Sequence, residues 1–303
     1  ILNKEGDSFC EKYNISDKGN WENKNILFLT KIPTKKELNE NKKKLYKLFI
    51  SRKKRIGPGL DDKVLTDSNC LMINALAVAG WTFNNKIWLD ESERIYNFIV
   101  KNLFYKKQLY HSWKENKVKT FATFDDYTNL LRCSITLYEK TNKENYLKNS
   151  QNFFEIILKK FKDKKGGGYF TTSNETKDVI VKLKSIYDTA TPSGVGLMIQ
   201  SSAKLYYITG EKKYYDEANE ILKSISGNIE KNFFSSSSIL NGYDILENGV
   251  QIILVIKKDY KKILNEIKKL CIPNKIILLI KTTKNLKKGH PAYGKKNFKG
   301  KTT

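Results

Sequence analysis

The chain has 303 residues, a formal net charge of +24 at pH 7 and a hydrophobic fraction of 40%, enough for a sizeable core at this length. It has no run of about 18 apolar residues and no charged-then-apolar leader after Ile1, so we expect neither a membrane span nor a secretion signal. The four cysteines form no CxxC pair, and only two histidines occur, so we expect no metal and no cofactor. These features predict a reduced, cytoplasmic environment, and the start at Ile1 and end at Thr303 suggest a piece of a longer protein.

The positive charge does not by itself indicate nucleic-acid binding. The 56 Lys and Arg residues are spread along the whole chain, and most of them are Lys. A nucleic-acid site needs one continuous basic surface, so solvated helix faces are the preferred interpretation. Nucleic-acid binding stays as a third alternative.

The first 55 residues form a polar lead-in with one basic helix, predicted over 37–55. Helical periodicity then predicts six helices in pairs with short turns, near 66–80, 88–104, 124–141, 144–162, 192–209 and 211–232. An internal repeat supports the pairing, since 137–157 resembles 205–225 at an offset of 68 residues and 84–100 is a fainter copy. Helical hairpins repeated in this way predict a mainly α fold, an α/α toroid over 56–249.

The connections between hairpins are longer and contain β-type sequence. Residues 109–121 read as two short strands around a polar turn, and 166–173 and 179–188 read the same way. Gly166 to Gly168 lack the strand–glycine–helix context of a phosphate loop and are interpreted as a tight turn. Residues 250–303 are predicted as a small βαβ-like appendage of the same domain, with strands at 250–256 and 275–281 around a helix at 258–270.

Three helices start in acid-rich sequence that follows a long connection: LDDKVLTDSNCLM, FATFDDYTNLL and YDTATPSGVGLM. In a ring of hairpins these starts would converge on one rim, and loops on a rigid scaffold often carry function. The candidate substrate-binding residues there are Asp61, Asp62, Lys63, Asn69, Trp113, Asp125, Tyr127, Tyr187 and Ser193.

Asp126 and Asp188 are the candidate catalytic pair, because paired carboxylates can divide acid and base roles. His111 is a weaker third candidate that could titrate near neutral pH. The alternative is capping, since acids and hydroxyls commonly begin helices, and Thr191 with Pro192 is the expected N-cap and first residue of the third helix.

Several motifs resemble the C-terminal half of one family, the thioredoxin-domain-containing YyaL and spermatogenesis-associated protein 20 family. They are the stretch around DDKVLT, FATFDDYTNLL, GGGYFTT, YDTATPSG and the closing HPAYGKKNFKGKTT, in collinear order over essentially the whole chain. The resemblance implies a missing N-terminal thioredoxin-like domain and an incomplete (α/α)6 toroid like that of six-hairpin glycosidases.

Two functions from different classes follow. The chain could bind or act on a sugar or glycan with its rim aspartates, with glycosidase- or epimerase-like chemistry if it is an enzyme. Alternatively it could be a non-catalytic scaffold that accompanies the thioredoxin-like domain.

Overall fold

The computed structural model divides into two compact units, Ile1–Asp62 and Lys63–Thr303. From the sequence alone we place this boundary after residue 55. The residues that the structure describes are 1–176, 179–229, 232–257, 260–283, 286, 288–296 and 301–302.

The first unit contains two helices, α1 (Gly6–Lys12) and α2 (Lys35–Lys53). A capping box begins α2, in which the Thr34 hydroxyl accepts the Glu37 N–H at 3.3 Å and the Glu37 carboxylate accepts the Thr34 N–H at 2.7 Å. This helix is the basic helix expected from the sequence, beginning two residues earlier, whereas α1 was not predicted.

The second unit is built from helical hairpins. After the short strand β1 (Val64–Leu65), they pair α3 (Thr66–Thr82) with α4 (Lys86–Asn102), α5 (Phe124–Thr141) with α6 (Glu144–Phe161), and α7 (Gly194–Thr209) with α8 (Lys212–Ile229). A further helix, α9 (Ser237–Asn248), follows them. All six predicted helices are confirmed to within a few residues, and α9 was missed.

The helices form two layers, as in an α/α toroid. Helices α3, α5, α7 and α9 pack side by side in sequence order and form an inner row, and α4, α6 and α8 each pack on their own partner outside it. The inner helices α5 and α7 are buried on most of their surface, while the outer helices bury only a stripe. Three hairpins and a seventh helix therefore supply part of a six-hairpin ring.

Each hairpin turn contains one residue in the left-handed backbone region: Asn84, Asn142 and Gly210, with φ of 54°, 56° and 70°. These residues occupy equivalent positions of the internal repeat. Asn and Gly are the residues that adopt this conformation most readily at the end of a helix. The repeat thus encodes the tight turns that fold each pair back on itself.

The connection between the first two hairpins carries a small antiparallel sheet. Strand β3 (Gln108–Lys114) pairs with β1, with β2 (Phe104–Tyr105) and with β4 (Lys117–Phe121). The two strands predicted within 109–121 are confirmed. The strands predicted at 166–173 and 179–188 are wrong for the described residues there, which form a glycine turn and isolated backbone contacts, among them Lys162 with Tyr169 and Thr171 with Leu183.

The C-terminal appendage is a parallel βαβ unit. Strands β5 (Val250–Val255) and β6 (Lys275–Ile280) pair in parallel, and α10 (Tyr260–Lys269) connects them. They share a small core of Leu254, Leu264, Ile267 and Ile277. In the described part of the chain, no helix is long and apolar enough to cross a membrane.

Candidate functional site

A first carboxylate cluster lies where α5 begins and consists of Asp126, His111, Thr123 and Asp67. Asp126 is the third residue of α5, and its Oδ2 accepts the backbone N–H of Thr123 at 2.8 Å in a capping box. Its Oδ1 accepts the N–H of Asp67, in the first turn of α3, at 3.2 Å. Strand β3 adds His111, whose Nδ1 is 3.0 Å from both Asp126 oxygens.

The surroundings of this cluster favour proton exchange through His111. Burial raises the pKa of Asp126, and the hydrogen bonds from Thr123 and His111 offset this only in part. The Asp126 side chain is 1% exposed and the His111 side chain 33% exposed, so the imidazole is the member that solvent or a ligand can reach. A buried carboxylate that orients a half-exposed imidazole is a common acid–base arrangement.

Asp125 joins the second and third hairpins. Its Oδ1 accepts the N–H of Gly194, the first residue of α7, at 2.6 Å. Burial raises the pKa of Asp125, and the Gly194 N–H opposes that shift. A Cβ at Gly194 would lie 2.5 Å from this oxygen and 2.8 Å from the Phe124 ring, so only glycine permits the close approach.

A second carboxylate cluster lies where α9 begins and consists of Asp188, Ser193 and Ser238. The Asp188 carboxylate accepts the N–H of Ser193 at 2.8 Å, the N–H of Ser238 at 2.7 Å and the Ser238 hydroxyl. Partial burial alone would raise the pKa of Asp188, but the hydrogen bonds from Ser238 and Ser193 outweigh it and lower the pKa. Asp188 is therefore held as a carboxylate.

The N-cap of α7 differs from the sequence expectation. Ser193 is the N-cap, since its hydroxyl accepts the Gly196 N–H at 3.1 Å, and the helix begins at Gly194. Thr191 and Pro192 lie in the preceding loop, where the Thr191 carbonyl accepts the Thr189 N–H at 3.1 Å. The assignment of Thr191 as N-cap and Pro192 as first residue was thus wrong, because the helix begins two residues later and Ser193 is the residue next to its first N–H groups.

Several predicted rim residues serve the interior of the fold. Tyr127 is fully buried, its hydroxyl accepts the Leu109 N–H at 2.9 Å, and burial raises the pKa of Tyr127 to about 12. Trp113 packs edge-on against Phe98 with ring centroids 5.2 Å apart. Both side chains contribute to the core beneath the rim.

Other predicted rim residues also have partners on their own chain segment or on a neighbouring helix. The Asn69 side-chain amide donates to the Leu65 carbonyl at 2.8 Å, and the half-buried Tyr187 hydroxyl donates to the Asn228 carbonyl at 3.2 Å. Asp61 and Asp62 close the first unit, and Lys63 opens the second.

A cavity of about 460 Å³ opens beside the second cluster, and we call it the rim cavity. The loop 188–192 forms one wall, and α9 with the residues before it forms the other. Polar side chains from α5, α7 and α9, namely Arg132, Gln200 and Asn241, lie at its base. Phe234 also lines it and is 91% exposed.

Sequence reasoning missed the residues that shape this cavity. Phe234 and Ser238 lie in the serine-rich stretch that leads into α9 and forms its first residues, and this stretch carries little helical periodicity. Arg132 had a usable signal, because it is a single charge within the apolar run NLLRCSIT of a helix. A charged residue at such a position is rarely fully buried unless it is paired.

One group of side chains could hold a divalent cation. Ligand atoms of Asp67, His111 and Asp126 all lie within 4.8 Å of one another. Oxygen and imidazole ligands suit metals such as Mn²⁺ or Zn²⁺. The Asp126 oxygens already accept two backbone N–H groups, which makes this carboxylate a poor primary ligand.

The remaining reactive side chains lie elsewhere. Cys70 and Cys133 are buried, as expected, and burial raises the pKa of Cys70 well above its ordinary value. His290 is buried in a turn near the C-terminus, against the turn between α7 and α8 at Gly210. Neither group contributes to the rim.

The fold is that of six-hairpin glycosidase-like (α/α)6 toroids. A glycoside hydrolase family 76 mannosidase from Bacteroides thetaiotaomicron VPI-5482 superposes with a TM-score of 0.52 at 17% identity, over 70% of this chain and 60% of that one. A family 76 glycoside hydrolase from a bovine Bacteroides thetaiotaomicron strain gives 0.51 at 13% identity, over 62% and 44%. These likenesses show the fold alone.

The family resemblance found in the sequence is also confirmed. Spermatogenesis-associated protein 20 of Rattus norvegicus is 25% identical over 250 residues, which cover 78% of this chain and 32% of that protein. The chain thus spans about a third of the length of the curated relatives it matches. No family model matches the chain.

Proposed function

We propose that the chain binds a sugar or glycan in the rim cavity. The observation that carries this proposal is the combination of an exposed aromatic ring, Phe234, with amide and carboxylate groups of Gln200, Asn241 and Asp188 around one cavity. A sugar offers apolar C–H faces for an aromatic ring and hydroxyls for polar side chains. The six-hairpin fold, which the solved mannosidase also has, supports the same ligand class.

Binding is tested by thermal melts of the 303-residue chain with mannose, glucose, cellobiose and mannan oligosaccharides, and with a short DNA duplex as the alternative ligand. At 100 times its Kd a ligand stabilises the fold by about 2.7 kcal/mol, which is readily measured. We expect Phe234→Ala to abolish the sugar shift. Phe83→Ala is the matched control, because Phe83 is 72% exposed, lies at the end of α3 and does not line the cavity.

If no sugar, neutral or charged, shifts the melt of the native chain, the sugar proposal is wrong. A shift with DNA that falls steeply with salt would support the nucleic-acid alternative instead. An equal loss of the sugar shift in both phenylalanine variants would place the ligand outside the rim cavity.

Catalysis at this rim would use two groups, Asp126 with His111 on one side and Asp188 on the other. The pKa of Asp126 is raised and that of Asp188 is lowered, as expected for two carboxyl groups with different roles. Under this proposal His111→Gln retains the sugar shift but loses turnover, measured as released reducing sugar or as an epimerised product.

A non-catalytic binding module is the second candidate function. It is favoured by the hydrogen bonds of Asp125, Asp126 and Asp188, each of which accepts a backbone N–H from the start of a neighbouring inner helix. Retained binding with no turnover for any tested glycan, in the native chain as in His111→Gln, would decide for this candidate.

A further inference from the structure

A second cavity of about 330 Å³ is lined by the four inner helices and by Pro273 and Asn274 before β6, and we call it the inner cavity. It shares Arg132, Gln200 and Asn241 with the rim cavity, so these three residues lie where the two meet. Its other charged lining residues are Glu139, Lys140 and Lys204. Three cations and one carboxylate thus line this space.

The single carboxylate is already neutralised. Glu139 accepts from the Lys204 ammonium at 2.8 Å, and its side chain is 2% exposed. Burial alone would raise the pKa of Glu139, but the ammonium groups of Lys204 and Lys140 outweigh it and lower the pKa. Because Glu139 is paired with Lys204, no other carboxylate among the residues that line this cavity pairs with Arg132 or Lys140.

Lys140 has a different kind of partner. Its ammonium lies 4.5 Å from the centroid of the Trp81 ring, a cation–π contact that compensates part of its burial. Burial lowers the pKa of Lys140.

Arg132 has no such compensation. Within the described residues, no hydrogen bond or ion pair reaches its guanidinium, although Asp188 lines the rim cavity with it. Burial lowers the pKa of Arg132. A partly buried guanidinium without a protein acceptor takes the acceptors for its five N–H donors from solvent or from a ligand in the cavity.

A second polar group is also without a partner. Ser201, on α7, lines the inner cavity and is 1% exposed, and its hydroxyl has no hydrogen-bond partner among the described residues. Buried hydroxyls are nearly always paired, so this one indicates a group that a ligand or water would satisfy. Arg132 and Ser201 therefore offer donors to the same space.

We propose that the inner cavity binds an anionic group, a carboxylate or a phosphate, carried by the sugar that the rim cavity holds. The inference rests on the proposed function and narrows its ligand to acidic sugars or sugar phosphates. Arg132 binds the anion through its planar fork, which matches a carboxylate or a phosphate in two parallel hydrogen bonds. Lys140, which also lines the inner cavity, adds a second positive charge. Asp188 lines the rim cavity and repels the anion, so the hydroxyls of the sugar would occupy the rim cavity.

The test compares Kd values from melts of the 303-residue chain with D-glucose, D-glucuronate, D-glucose 6-phosphate and inorganic phosphate at constant ionic strength. We expect glucuronate or glucose 6-phosphate to bind at least tenfold more tightly than glucose, and the better of the two identifies the group as carboxylate or phosphate. Arg132→Gln should remove this preference, a loss of about tenfold or more, since hydrogen bonds to charged groups are the strong ones.

The variant itself should fold. Arg132 has no hydrogen bond or ion pair to lose among the described residues, so Arg132→Gln without ligand should melt at the same temperature as the native chain or higher. Arg94→Gln is the matched control, because Arg94 pairs with Glu91 on the surface of α4, and it should leave every Kd unchanged.

Three outcomes would overturn the inference. Equal Kd values for glucose and the anionic sugars, unchanged by Arg132→Gln, would refute the anion site while leaving the sugar proposal intact. An anionic preference that persists in Arg132→Gln would refute the role of Arg132. Binding of inorganic phosphate as tight as that of any sugar, with no shift from glucose, would refute both proposals.

Discussion

At the first carboxylate cluster, Asp126 is enclosed and touches a half-exposed histidine, whereas at the second cluster Asp188 is partly open and surrounded by serine hydroxyl and backbone N–H donors. Asp126 lies in the first turn of α5 and Asp188 in the loop before α7, and each accepts a backbone N–H from the start of a neighbouring helix. Their pKa values nevertheless move in opposite directions, because desolvation dominates at Asp126 and hydrogen bonding dominates at Asp188. Two aspartates that hold neighbouring helix starts in the same way are therefore chemically different carboxylates.

The largest effect is expected from breaking the packing around the second cluster. A Cβ at Gly196 would lie 2.8 Å from the Ser238 carbonyl carbon and would overlap the Ser238 side chain. Gly196→Ala should therefore lower the free energy of unfolding by about 2–3 kcal/mol, measured by denaturant or thermal unfolding. Gly227→Ala in α8 is the control, because no atom of the described residues lies within 4 Å of its Cβ position, and it should stabilise by up to about 1 kcal/mol.

A loss of stability in Gly227→Ala equal to that in Gly196→Ala would contradict this account, since the effect would then come from glycine replacement in general.

The next effect concerns the hydrogen bonds of Asp188. Asp188→Asn replaces one acceptor oxygen by a donor NH₂ group, which faces N–H and O–H donors of Ser193 and Ser238. We expect a loss of about 1–3 kcal/mol at neutral pH in the free energy of unfolding. Asp216→Asn, on the exposed surface of α8, should leave the melting temperature unchanged. Unaltered stability of Asp188→Asn would show that this carboxylate does not hold α9.

The comparison is sharpened by pH. The folded pKa of Asp126 is raised above its ordinary 3.8, so the folded state binds this proton more tightly and stability falls as pH rises above 3.8. The folded pKa of Asp188 is lowered, so its contribution is present above 3.8 and is lost as pH falls through the folded pKa. Melting temperatures between pH 2.5 and about 7 should show that Asp126→Asn removes the first slope and Asp188→Asn the second.

If both substitutions changed the slope of melting temperature against pH in the same direction, the two carboxylates would share one kind of environment, which would contradict the structure.

The smallest effect on stability is expected at His111. Its side chain is a third exposed, so its contact with Asp126 is worth at most about 1 kcal/mol, and His111→Gln should hardly change the melting temperature at pH 7. A large destabilisation would assign His111 to the fold and remove it from acid–base chemistry.

The helical hairpins were predictable because apolar periodicity and the repeated turn residues Asn84, Asn142 and Gly210 are local features of the sequence. The helix α9 was not, since it begins in the stretch SSSSIL, where serines obscure the period. The rim was predicted as a set of acids, but the identity of their partners was not. The Asp126 carboxylate accepts the N–H of Asp67, and the Asp188 carboxylate accepts the N–H of Ser238. Both hydrogen bonds join segments that are distant along the chain, so they depend on tertiary packing that residue spacing does not reveal.

The aspartate caps have a consequence for how the ring comes apart. Asp126 and Asp125 are adjacent in the first turn of α5. Asp126 accepts a backbone N–H from the start of α3, and Asp125 accepts one from the start of α7. Asp188 accepts one from the start of α9 in the same way. In a simple stack of hairpins an end unit can fray alone, because only its own interface is lost. Here the opening of one hairpin exposes a buried carboxylate or an uncapped helix start on its neighbour, so we expect amide hydrogens at the starts of all four inner helices to exchange with solvent at one common rate.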